Sequence, residues 1–66
     1  MTSYVATMSV ERRTISGYKP STLYGYGSTP HEAFSDVYSA IAMANRGQDL
    51  KTPVMRQLGK PTIRKE

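Results

Sequence analysis

Tyr24-Gly25-Tyr26-Gly27-Ser28-Thr29-Pro30-His31-Glu32-Ala33-Phe34 is the stretch in which one kind of backbone gives way to another. Thr29 to Glu32 forms a capping box: the Thr29 hydroxyl can accept from the Glu32 amide, and the Glu32 carboxylate can reach back to the Thr29 amide. Pro30 suits the first helical position because it has no amide to leave unpaired and already holds a helical φ. Glu32 and Asp36 then lie near the positive end of the helix dipole and Arg46 near its negative end, and Gly47 supplies a stop. A helix is predicted from Pro30 to about Arg46. Phe34, Val37, Tyr38, Ile41 and Ala44 recur at helical spacing and form the expected buried stripe. Burial of Phe34, Val37 and Ile41 is worth about 1.5–3 kcal/mol each. His31, Glu32, Ser35, Asp36, Ser39, Ala42 and Met43 fall on the other face.

Upstream, Tyr4 to Thr14 alternates, with Tyr4, Ala6, Met8 and Val10 on one side and Thr7, Ser9, Glu11 and Arg13 on the other. Period two of this kind reads as a half-buried strand; Val5 breaks the pattern as an exposed apolar residue. Ser16-Gly17-Tyr18-Lys19-Pro20 reads as a turn, with Pro20 delaying the next strand. That strand is expected over Ser21 to Tyr26, making an antiparallel hairpin with the first. Tyr24 and Tyr26 share one face, and Leu23, Gly25 and Gly27 the other. Gly25 marks close approach of another backbone, which places the helix there. Downstream, Gln48 to Pro53 is a polar connection, and Val54 to Leu58 reads as a short third strand beside the first, in sheet order 3-1-2. Gly59 and Pro61 interrupt it; Thr62 to Lys65 either extends it or frays. The expected fold is α+β, a ββαβ arrangement in a single domain over residues 1–58, with 59–66 as a basic C-terminal tail.

The chain has 66 residues and no cysteine. Ordering it costs about 1.5 kcal/mol per residue, on the order of 100 kcal/mol, which one small core barely offsets. Neither a disulfide nor a thiolate metal site can staple it, so oligomerisation or docking on a larger partner is the expected remedy. The longest purely apolar run, Ala40 to Ala44, is far below the roughly 20 residues that span a bilayer, and no signal-peptide pattern is visible. A cytoplasmic protein is expected. Residues 1–50 are formally neutral, so the net charge of +4 falls after Leu50, on Lys51, Arg56, Lys60, Arg64 and Lys65 against Glu66. Such a segment attracts acidic protein surface or nucleic acid.

Catalysis needs a nucleophile, base or metal in mutual reach. His31 is the only histidine and falls on the exposed side of the first helical turn; Glu32 is explained by the cap. Gly25 to Thr29 leads into a helix N-terminus but lacks the P-loop lysine and the dinucleotide fingerprint. No enzyme, cofactor or metal site is expected. Five tyrosines remain. Tyr38 joins the helix stripe and Tyr4 packs at its edge, while Tyr18, Tyr24 and Tyr26 are expected as an aromatic patch on the sheet face away from the helix. With the basic residues Arg56, Lys60, Arg64 and Lys65 they make the candidate partner-binding set.

Residues 24–34 resemble the strand-to-helix junction of HicB-type antitoxin domains, whose Gly-x-Thr-Pro-x-Glu-Ala pattern is matched here by Gly27 to Ala33. The match covers about a sixth of the chain and is largely a capping box; no long acidic helix or separate DNA-binding segment follows. In size and layout the protein also resembles small phage-encoded inhibitors, including anti-CRISPR proteins and an inhibitor of bacterial RNA polymerase. That resemblance implies a non-catalytic inhibitor or adaptor that docks on a larger protein or nucleoprotein complex. Two alternatives stand beside it: nucleic-acid binding through the tyrosine-bearing sheet face and the basic C-terminus, and a homo-oligomeric, for instance dimeric, assembly subunit.

Overall fold

A computed structural model describes residues 2–49 and 51–66. Five elements follow in order: β1 (Tyr4–Thr14), β2 (Gly17–Gly27), α1 (Pro30–Ala44), β3 (Met55–Gln57) and β4 (Thr62–Lys65). The fold is α+β: an antiparallel hairpin, a helix packed on it, and a sheet in the order β2-β1-β3. β4 also pairs with β1, on the edge that β3 uses. Val10 faces Gln57 and Thr7 faces Thr62, so two residues of β1, Met8 and Ser9, stand opposite the wider arc Leu58 to Pro61. The stretch expected as a tail, residues 59–66, therefore completes the sheet edge in part, and Glu66 N–H still donates to Ser3 O at 2.8 Å. Gly59 and Pro61 interrupt the ladder as expected, but the chain bulges and rejoins it.

The turn of the hairpin lies earlier than the composition implied. β1 and β2 pair without a break from Tyr4–Gly27 to Thr14–Gly17, leaving Ile15 and Ser16 as the apex. Gly17 takes φ +110°, and Thr14 Oγ1 accepts from Ser16 N–H while donating to Gly17 O. Pro20 does not delay the strand. Ser9, Arg13 and Ser3 spend their ladder groups on the β3–β4 side, so alternation turns the even residues of β1 toward β2. Pro20 pairs with Glu11, and the amide it lacks would have pointed away from the sheet, where proline is tolerated.

The helix begins as the capping box dictates. Thr29 Oγ1 accepts from Glu32 N–H at 3.1 Å, and the Glu32 carboxylate accepts from Ser28 N–H rather than from the Thr29 amide. It ends at Ala44 instead of Arg46, because Asn45 leaves helical geometry and gives its side chain to the edge strand. Asn45 Nδ2 donates to Met55 O and Oδ1 accepts from Met55 N–H, both at 2.8 Å.

Ala6, Met8 and Val10 of β1, Ala33 and Val37 of α1, and Met55 of β3 form the core; Tyr4, Leu23, Phe34, Ile41 and Ala44 pack against it half-buried. The buried stripe is centred on Ala33 and Val37, not on Phe34 and Tyr38. Gly25 and Gly27 draw the small-residue side of α1 onto β2, with Ala33 above both and Val37 above Gly25. That seating rolls Tyr38 outward, so it is 45% exposed.

Candidate docking surface

The register assigns each expected contact residue to a face. Side chains on the helix side of β1 pair with Gly27, Gly25, Leu23, Ser21 and Lys19; those on the open side pair with Tyr26, Tyr24, Thr22, Pro20 and Tyr18. The three strand tyrosines thus share the open face, but they do not form one patch. Tyr18 lies about 20 Å from Tyr24 along the strand, at about 3.3 Å per residue.

Tyr18 is committed to the fold. Its hydroxyl donates to Pro53 O at 2.7 Å, and the Arg56 guanidinium stacks on its ring at 3.6 Å from the centroid. Arg56 also pairs with Glu11 across the ladder at 2.8 Å. Together they lash the edge strand over β1 to β2, a cation–π contact and an ion pair sharing one guanidinium.

Among the described residues, the Tyr24 and Tyr26 side chains make no such ties. They are 55% and 61% exposed, adjacent on one face of β2. Across the sheet, Val5 sits between Tyr26 and Arg64, and Thr7 between Tyr24 and Thr62. Val5 was expected to be an exposed exception; it is 1% exposed and forms the floor between Tyr26 and Arg64. Arg64 reaches the Glu66 carboxylate at 3.4 Å and keeps most of its side chain in solvent. The open face therefore carries a cluster of Tyr24, Tyr26, Val5 and Arg64.

Lys60 and Lys65 lie elsewhere. Lys65 pairs with Tyr4 on the helix side. Lys60 and Pro61 line a shallow groove of about 640 Å³ against His31, Phe34, Ser35 and Tyr38. Of the expected set, then, Tyr24, Tyr26 and Arg64 come together, while Tyr18 and Arg56 brace the fold and the two lysines face the helix side. Val5 was missed because alternation assigns it to the solvent side. Its signal was β-branching next to a tyrosine-bearing strand.

Among the described residues, no group of three or more histidine, aspartate or glutamate side chains gathers as a metal site, and no helix is long and apolar enough to cross a membrane. Compared with known protein families, curated proteins and solved structures, the chain matches none.

Proposed function

We propose that the protein is a non-catalytic binding module, an inhibitor or adaptor that docks on a larger protein or nucleoprotein complex through the open face of its sheet. The observation that supports this most is the adjacent, unbraced pair Tyr24 and Tyr26 over buried Val5. A sheet with a helix on one side leaves its second face for solvent or for a partner. Solvent needs only polar side chains there, and Thr7, Ser9 and Thr22 supply them. Two large aromatic rings with polar tips are instead the side chains that anchor interfaces. Arg64 at their edge offers a rim charge, which governs association rate and salt response more than final affinity.

The test is affinity capture from the native host with mass spectrometry, comparing the natural protein with a Tyr24→Ala/Tyr26→Ala variant. Enrichment of a specific complex by the natural protein and its loss in the variant is the expected result. Identical capture by both would sink the assignment of this face.

A further inference from the structure

The fold redistributes charge in a way the linear sequence hides. The Gly25 and Gly27 contacts place the start of α1 beside the open end of the hairpin, and the Asn45–Met55 bonds place its end at the level of Arg12. The half of the molecule that contains the hairpin turn therefore holds Arg12, Arg13, Lys19, Arg46, Lys51 and Arg56, with Glu11 and Asp49 as its carboxylates. The other half holds Lys60, Arg64 and Lys65 against Glu32, Asp36 and Glu66. The whole net charge of +4 thus sits at the turn end of a body 41 Å long and only 21 by 15 Å across.

Three further details converge on that end. Ile15 is completely exposed at the apex, where a two-residue connection has no need of a large apolar side chain. Arg12 and Lys19 are direct cross-strand partners and both are exposed. Like charges placed so are destabilising, and no carboxylate occurs between Arg12 and Lys19 to relieve them. Arg13, on the opposite face, is held by neutral acceptors, Thr52 O and Gln48 Oε1, so its orientation is fixed by groups that carry no charge.

We propose that the hairpin turn is a nucleic-acid-binding finger, in which Arg12 and Lys19 meet the phosphates of a duplex and Ile15 is the apolar wedge presented to the groove. Only the tip of the ribbon, Thr14 to Gly17, projects beyond the β3 edge, whose bonds to β1 reach Arg12 and Arg13; a two-stranded tip fits a duplex groove, with Arg12 and Lys19 at its shoulder. Cations on both faces of the ribbon suit a site walled by phosphates on both sides, and an apolar residue at the tip of a basic element is the means by which proteins unstack a base step. An acidic protein cleft would explain the charge, but it gives no reason for cations on both faces of the hairpin with an apolar residue at its tip. The finger lies at the far end of β2 from Tyr24 and Tyr26, so it stands independently of the proposed protein-docking face.

The test is fluorescence anisotropy of a short labelled DNA duplex of mixed sequence with the full chain at low salt. Binding is expected, with log affinity falling against log salt at a slope of about −3, as for about three neutralised phosphates. Two double variants remove the same net charge: Arg12→Glu/Lys19→Glu at the finger and Lys60→Glu/Lys65→Glu at the neutral end. The first should lose about tenfold or more in affinity and the second far less; equal losses would show unlocalised attraction and overturn the finger. Ile15→Ser should weaken binding severalfold and leave the salt slope unchanged; unaltered binding would overturn the wedge. Arg12→Glu alone should raise the thermal midpoint, by turning repulsion into a cross-strand pair, while lowering duplex affinity. Absence of binding by the natural protein at low salt would refute the proposal, as would equal affinity for poly-glutamate, which would reassign the tip to acidic protein surface.

Discussion

A methyl group at Gly25 would stand 2.5 Å from the Ala33 carbonyl oxygen and 2.7 Å from the Val37 amide nitrogen. Neither can yield without lifting α1 from the sheet. Gly25→Ala should therefore cost about 1–3 kcal/mol, read as a lower urea midpoint with an unchanged slope. The tyrosines divide in the same kind of measurement. Tyr18→Phe removes the hydroxyl that reaches Pro53 and should cost about 1 kcal/mol; Tyr24→Phe and Tyr26→Phe, with no intramolecular partner recorded for either hydroxyl among the described residues, should fall within about 0.5 kcal/mol of the natural protein. At this scale, alternation along Tyr4 to Val10 was enough to sort side chains between faces. It could not tell a tyrosine that braces from one that is free, because that depends on Pro53 and Arg56, more than thirty residues away. Nor could it find Val5, whose burial comes from cross-strand neighbours rather than from its own period.

Elements were legible where their signal is local. The helix start, the first strand and the position of the third strand beside β1 follow from capping chemistry, alternation and chain length. The turn, the helix end and β4 did not, and each has a physical cause. Pro20 reads as a strand breaker unless its outward orientation is known; Gly17 is the glycine that the apex uses. Asn45 leaves the helix because its amide imitates a neighbouring strand, saturating both outward groups of Met55. Asn45→Ala should cost about 1–2 kcal/mol, the worth of two such bonds, and should speed amide exchange at Arg13 and Leu58, whose bonds tie this strand to β1. Thr29→Ala, by contrast, should lower stability by about 1 kcal/mol without selective loosening at those amides.

For the whole molecule, the two exposed sheet edges are guarded against self-pairing. On β2, Pro20 has no amide to offer, and Asp36 takes the outward Tyr26 N–H at 2.9 Å; on β3, Asn45 covers Met55. The β4 edge carries Arg64 and Lys65, so two copies meeting there would oppose like charges. Sedimentation at micromolar concentration should accordingly show a monomer, and a concentration-dependent dimer would contradict this reading of the edges. Charge, too, is redistributed at this scale. Counted along the chain, the excess follows Leu50; in space, Arg12, Arg13, Lys19 and Arg46 are separated from Glu32 and Asp36 by most of the helix, and Lys60, Arg64 and Lys65 come to lie in the same half of the molecule as those acids. Only the folded register reveals which charges neutralise one another.

The arc from Leu58 to Pro61 has an arithmetic of its own. It exceeds its partner segment on β1 by an even number of residues, which is why Ile63 still points to the helix and Arg64 away from it. Removing Gly59 alone would invert every later side chain, sending Arg64 under α1 and stranding Ile63 beside the tyrosines. Removing Gly59 and Lys60 together would preserve the parity. Length at this site can therefore change in steps of two but not of one, and paired codon insertions there offer a route to grafting a loop without disturbing either face.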